Sequence, residues 1–359
     1  MTSSTSLSFD VWNWSIFAGK FTLVLSTAFG IFLYTCQDYL LYHPAPPNFS
    51  RIPDGNQGDF KSPGQWSISG IPMRRYRDQS KTKSIPFEDN MIETIDGIRI
   101  HTWLLLQEDS NNVPTLVYWH GNAGNMGFRL KNAAEMYSYI GVNILMVDYR
   151  GYGKSEGSPT EEGLKADAES VLRYIKGHPK LTNSSIILFG RSLGGAVSIA
   201  LAYKFPDYIN GIILENTFLS ISAMVDVLLP YVKWFKHLIL RIKWNSDEKI
   251  KQLKQPIMFI SGGMDNLVPP KHSRILYNLA ALSSHKDFFY VSDGSHNDTW
   301  EKAAMKNGHD NYYQRIKKFI STIANMDKLN IEPLDESKNV VEIDPQMSIP
   351  TMNKIFKIE

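Results

Sequence analysis

Three residues of this chain have the types and the order that acyl transfer requires: Ser192, Asp265 and His296. Ser192 sits in Gly190-Arg191-Ser192-Leu193-Gly194, a Gly-x-Ser-x-Gly pattern. The apolar run Ile186-Ile187-Leu188-Phe189 precedes it, and a small-residue helical pattern through Ala196, Ser198, Ala200 and Ala202 follows. Strand, tight turn and helix in that succession lift a serine hydroxyl above the strand ends, and the flanking glycines let strand and helix approach closely. The start of the helix supplies N–H groups and the positive end of its dipole where an oxyanion would form. A serine hydroxyl is a weak nucleophile until a base takes its proton and a carboxylate orients that base. His296 is the expected base and Asp265 the expected orienting carboxylate. Each lies in a glycine-containing loop after a predicted strand: residues 256–261 run into Gly262-Gly263-Met264-Asp265, and residues 288–291 into Ser292-Asp293-Gly294-Ser295-His296. Glu215, at the end of a third strand, is the rival acid. His120 also ends a strand, but it precedes Ser192, against the order Ser, acid, His.

A second loop belongs to the same chemistry. His120-Gly121-Asn122-Ala123-Gly124-Asn125 follows the predicted strand 115–119, and its small residues let backbone N–H groups face a reaction centre. The expected oxyanion donors are the N–H groups of Leu193 and Asn122, with His120 tying the loop down by hydrogen bonds. The stretch from Asp148 to Ser155 ends another strand on that side and reads as a structural loop lining the pocket.

The elements that must hold these loops alternate. Residues 91–95 and 98–106, joined at Asp96-Gly97, read as an antiparallel hairpin. Strands at 115–119, 143–147, 186–190, 212–214, 256–261 and 288–291 follow, with helices at 126–140, 161–176, 193 onward, 270–282 and 300–324. Such a succession predicts an α/β fold, a mostly parallel sheet covered on both faces. Residues 219–249 are too long for a plain connection and predict a small helical cap. A helix begun after Pro230 would gather Val232, Phe235, Ile239 and Ile242 near one face. It would carry Lys233, Lys236, Arg241 and Lys243 without any acid between Leu228 and Trp244. Such a helix would cover the pocket with its basic face merely solvated, or would lie on a bilayer as well.

Residues 1–42 read as a short tail and a transmembrane anchor: 21–37 is uncharged and apolar, with Trp12, Trp14, Tyr39 and Tyr42 at its flanks. Lys20 and Arg51 balance across it, so charge leaves the orientation open. Residues 43–85, rich in Pro, Gly and charge, read as a connector lying over the domain, so that a chain starting near Lys81 is expected to keep short-ester hydrolysis. The hydrolytic domain takes 86–325, and 326–359 is a polar tail. With 38 basic and 36 acidic residues nothing points to nucleic acid, the single cysteine permits no intrachain disulfide, and no metal-ligand spacing or phosphate loop occurs, so no metal or cofactor is expected. Asn48, Asn183 and Asn297 stand in glycosylation patterns.

The elbow Gly190 to Gly195, the loop His120 to Gly124 and the segment Asp148 to Gly153 resemble the α/β-hydrolase superfamily. Gly294-Ser295-His296-Asn297-Asp298-Thr299-Trp300 and Glu215-Asn216-Thr217-Phe218 resemble, more narrowly, the Bem46-like group of membrane-anchored alpha/beta-hydrolase-domain proteins. The resemblance covers about Phe87 to Phe319. It implies a single-pass type II membrane protein of the endoplasmic reticulum or plasma membrane, with Ser192, Asp265 and His296 as nucleophile, acid and base. The substrate it implies is an ester or thioester, with acylated proteins and lipids as substrate classes. A prolyl-oligopeptidase-like peptidase and a silent membrane interaction protein are the competing readings.

Overall fold

The computed structural model describes residues 4–308 and 311–324, with backbone alone for 4–12 and 324. The polar tail expected over 326–359 lies outside the described residues, as does the side chain of Trp12.

Eight strands form one sheet: β1 (Phe87–Glu93), β2 (Arg99–Leu105), β3 (Thr115–Trp119), β4 (Asn143–Val147), β5 (Ile186–Arg191), β6 (Gly211–Glu215), β7 (Ile257–Gly262) and β8 (Lys286–Val291). Their order is β1-β2-β4-β3-β5-β6-β7-β8, and β2 alone runs against the rest. Strands β3 to β7 are buried along their whole length, which is why they read as unbroken apolar runs. Strand β1 starts at Phe87, ahead of the expected Met91. Its polar first half is recruited by pairing, Phe87 to Leu105 through Asn90 to Thr102, rather than by its own hydrophobicity.

Eleven α-helices are described: α1 (Ser4–Thr35), α2 (Gln37–Leu41), α3 (Leu130–Ile140), α4 (Glu161–Gly177), α5 (Leu193–Lys204), α6 (Ile221–Leu228), α7 (Lys236–Ile239), α8 (Ser246–Lys249), α9 (Lys271–Leu279), α10 (Thr299–Ala304) and α11 (Tyr312–Ala324). One core, on the face covered by α4, α5 and α9, joins Leu164, Val171, Val197 and Leu276 to Val117, Leu188 and Phe259. The opposite core joins Leu130 and Met136 of α3, Ala303 of α10 and Ile316 of α11 to Tyr118, Phe189 and Ile260. The expected closing helix 300–324 is two helices, interrupted where Gly308 takes φ 66°, a conformation cheap only for glycine.

Two expectations change. The helix after Pro230 does not form as one unit. Residues 230–232 make a single tight turn, α7 has four residues, and the chain then extends to Trp244. The extended part gives the N–H groups of Lys243 and Trp244 to the Glu161 carboxylate at 2.7 and 3.2 Å. It also sends Ile242 and Trp244 into the core, so the expected shared face of Val232, Phe235, Ile239 and Ile242 is dispersed. The connector, in turn, is part of the folded domain. Trp66 and Ile85 are core residues, and the side-chain amides of Asn56 and Asn125 exchange hydrogen bonds at 2.8 and 3.1 Å.

Candidate active site

The turn between β5 and α5 explains each small residue of the elbow. Ser192 has φ 53° and ψ −117°, a strained conformation for a residue with a Cβ. It is held there by its N–H donating to the Glu215 carbonyl at 2.9 Å and its carbonyl accepting from the Thr217 hydroxyl at 2.7 Å. A Cβ at Gly190 would stand 2.3 Å from the Gly194 carbonyl oxygen, and one at Gly194 would stand 2.0 Å from that of Trp119. The motif is therefore a packing requirement: helix and strand touch through backbone. Leu193 opens α5, and the first N–H groups of a helix have no intrahelical partner.

Asp265 and His296 meet. The Asp265 Oδ2 lies 2.7 Å from His296 Nδ1, with the aspartate side chain almost fully buried and the histidine partly open. The other carboxylate oxygen accepts the N–H groups of Leu267 and Val268 at 3.0 and 2.8 Å, so the carboxylate is locked in one orientation. The loops carrying the two residues are clasped to each other, because the N–H groups of Gly263 and Met264 donate to the carbonyls of Val291 and Gly294. Glu215 does not compete for the histidine. Its carboxylate is wholly buried, ion-paired to Arg191 at 2.6 Å, and accepts the Tyr312 hydroxyl on its other oxygen.

The loop after β3 is braced from three sides. A Cβ at Gly121 would lie 3.7 Å from Ser192 Cβ, which places the loop against the elbow. His120 is buried, with Nδ1 at 2.6 Å from the Gly121 carbonyl and Nε2 at 3.4 Å from Asp148, while the Tyr149 hydroxyl donates to its carbonyl at 2.8 Å. Burial alone would raise the Asp148 carboxyl, but hydrogen bonds from His101 and His120 hold it below its usual range. Gly153 makes room for that carboxylate: a Cβ there would fall 1.8 Å from Asp148 Oδ2. The Asn122 side chain is tied to the scaffold, accepting the Tyr152 hydroxyl at 3.0 Å and donating to the Leu41 carbonyl. The chain leaving α1 and α2 thus reaches the loop directly. Gly124 N–H donates to the His43 carbonyl at 3.0 Å, and the buried Tyr42 accepts from Trp244 Nε1 at 3.0 Å.

Sequence reasoning missed Asn216. It adopts φ 49°, accepts Gly262 N–H at 2.8 Å, and donates to the carbonyls of Ser295 and His296 at 3.3 and 3.1 Å and to the Thr299 hydroxyl at 3.0 Å. One side-chain amide fastens the end of β6 to the acid strand and to the base loop. Its place right after a buried strand, beside Glu215, was the available signal. A cavity of about 1060 Å³ lies away from these residues, against α3, α10 and α11.

Comparisons with known proteins agree with this architecture. The family profile of the alpha/beta hydrolase fold matches residues 114–242. The bem46 protein of Schizosaccharomyces pombe is 34% identical over 318 residues, 88% of this chain and 96% of that protein. The alpha/beta hydrolase domain-containing protein WAV2 of Arabidopsis thaliana is 38% identical over 226 residues, 60% of this chain and 73% of that protein. A Saccharomyces cerevisiae protein described only as a membrane protein is 37% identical over 249 residues, 69% of this chain and 84% of its own. Among solved structures, an esterase of Pyrococcus furiosus superposes with a TM-score of 0.55 at 19% identity over 67% of this chain and 93% of that one, a likeness of fold.

Proposed function

Because this chain belongs to the Bem46-like α/β hydrolases, we propose that it is a membrane-anchored serine hydrolase that cleaves a carboxylic ester or thioester through an acyl-enzyme on Ser192. The observations that carry this reading are the Asp265–His296 contact of 2.7 Å and the elbow that holds Ser192 at φ 53°. The Ser192 hydroxyl attacks the acyl carbonyl while His296 Nε2 takes its proton. Asp265 keeps the remaining proton on Nδ1 and stabilises the imidazolium. The N–H groups of Leu193 and Asn122 receive the oxyanion. Collapse expels the alcohol or thiol, which leaves with the proton held by His296, and water repeats the sequence on the acyl-enzyme. Fatty-acylated proteins or lipids are the substrates such a membrane-held site would meet. Covalent labelling by a fluorophosphonate is expected, and Ser192→Ala should abolish it with an unchanged circular-dichroism spectrum. Labelling that persists in that variant rejects the assignment.

Helix α1 supports the anchor. Its 23-residue span Asn13–Thr35 is apolar and entirely unburied, which fits a lipid-facing helix rather than a core helix. At about 1.5 Å per residue it reaches across a hydrocarbon layer of about 30 Å. The orientation we propose, with the hydrolase domain outside the cytosol, is the type II topology that the family resemblance implies, and the glycosylation patterns test it. Asn48 and Asn183 are exposed, whereas Asn297 is half-buried beside His296. Glycosidase should therefore shift the protein through Asn48 or Asn183 only. An absent shift, with the amino terminus mapped outside the cytosol, reverses the orientation.

A further inference from the structure

Six large apolar side chains stand in solvent on the cap: Leu228, Leu229, Tyr231, Trp234, Phe235 and Leu238. Tyr231, Trp234 and Leu238 are 84–89% exposed, beyond what isolated surface apolar residues require. The place of this patch is set by the anchor. Gln37, two residues past the end of the apolar span, donates its side-chain amide to the Ile239 carbonyl at 2.5 Å and accepts the N–H groups of Arg241 and Ile242 at 2.8 and 3.1 Å. Asp38 pairs with Arg241 at 2.5 Å. A helix that crosses a bilayer as far as Thr35 leaves Gln37 within one turn of the hydrocarbon edge. The cap backbone bonded to Gln37 then lies at that level too. Tyr39 and Leu40, also exposed, continue the apolar surface from the anchor side. The chemistry of the patch suits this depth, because aromatic rings mix with the exposed cations Lys233 and Lys243, and no acidic residue occurs between Leu228 and Asn245.

We propose that this cap rim is a second membrane contact, immersed in the head-group and upper acyl region of the bilayer that holds α1, and that it serves substrates whose acyl chain resides in that bilayer. The proposal rests on the anchored-hydrolase reading and deepens it by committing the substrate to a membrane-dissolved acyl ester or thioester. It replaces a surface helix by an irregular apolar rim, fixed in depth by Gln37 and Asp38 rather than by basic residues alone.

The test uses the full chain with Cys36→Ser, reconstituted in phosphatidylcholine–phosphatidylserine vesicles. An environment-sensitive fluorophore is placed in turn at Trp234→Cys, Leu238→Cys, Leu25→Cys and Tyr208→Cys, and nitroxide-labelled lipid is the quencher. Labels at 234, 238 and 25 should be quenched at least threefold more than the label at 208. Quenching at 25 with none at 234 and 238 overturns the membrane contact while leaving the anchor intact. Absence of quenching at 25 as well overturns the anchor and the proposal with it. In a second arm, Trp234→Ser with Leu238→Ser should lower turnover of a long-chain acyl ester dissolved in the vesicles by at least fivefold and leave turnover of a short soluble ester unchanged. Equal turnover of the bilayer substrate by both proteins overturns the substrate commitment. No turnover of either ester by the parent chain rejects the hydrolase reading instead, and the quenching result still decides the surface.

Discussion

Replacing Glu215 by glutamine separates a structural carboxylate from a catalytic one. The side chain keeps its size, and one oxygen remains to accept the Tyr312 hydroxyl, so only the negative charge and one acceptor are lost. Arg191, 3% exposed, then keeps a buried guanidinium without its partner at 2.6 Å and faces an amide N–H donor instead. Burial works against the Arg191 charge, and the field of Glu215 more than reverses that, holding its pKa above the ordinary value. Breaking a buried pair from one side costs about 3–5 kcal/mol. For a domain of this size, each kcal/mol lowers Tm by about 2–4 °C, so Glu215→Gln should lower Tm by roughly 6–20 °C. Turnover per folded molecule should stay within about tenfold of the parent, because the His296 ring is oriented by Asp265. Asp265→Asn should do the opposite. Its remaining oxygen still accepts from Leu267 and Val268, so Tm changes little, while kcat drops by about 10⁴ through the wrong imidazole tautomer. Thermal unfolding in detergent and esterase turnover, measured on both variants, give the comparison. A Glu215→Gln protein with parental Tm and a loss of turnover equal to that of Asp265→Asn would refute the reasoning.

Three further outcomes follow from the same contacts. A chain beginning at Lys81 lacks Leu41, His43 and Asn56, all of which hold the 120–125 loop, and its kcat on a short soluble ester should fall by about 10² because the oxyanion donors shift; a parental rate would show that the loop stands unaided. Gly190→Ala forces a Cβ to within 2.3 Å of the Gly194 carbonyl oxygen and should abolish fluorophosphonate labelling or soluble expression, whichever is measured first. Asp167 tests linkage: burial pushes its carboxyl up to about 6 from 3.8, against the opposing effect of Arg150. The folded chain therefore binds its proton more tightly than the unfolded one, so the contribution of Asp167 to stability is full below about pH 4 and declines as pH rises to 6. Urea unfolding at pH 4, 5, 6 and 7 should show that decline reduced in Asp167→Asn relative to the parent chain, and an unchanged difference curve would contradict it.

Much of this protein is written locally. Strands β3 and β4 coincide with their apolar runs because both faces of each are covered, so hydrophobicity alone marks their ends. The elbow is legible for a related reason: strand, turn and helix follow one another directly in sequence, and a Cβ at Gly190 would strike Gly194 within that same turn. The order of Ser192, Asp265 and His296 and the glycines beside the last two could be read in the same way, and so could the apolar span of α1. What sequence left open depends on partners far along the chain. Asn216 reaches the base loop 79–83 residues away; its place after a buried strand marks a site position but not the partners it meets. Glu215 looked like an acid until Arg191 and Tyr312, brought in by β5 and α11, used both its oxygens. The amphipathic pattern after Pro230 was real as a pattern. Tertiary contacts with Glu161 and Gln37 nevertheless drew the backbone into an extended path, since bonds to buried or oriented acceptors outweigh the weak helix preference of a short segment. The sequence determined which residues could react, whereas the fold decided which of them meet, because a hydrogen bond requires two groups at one place and most of these pairs are joined only by packing.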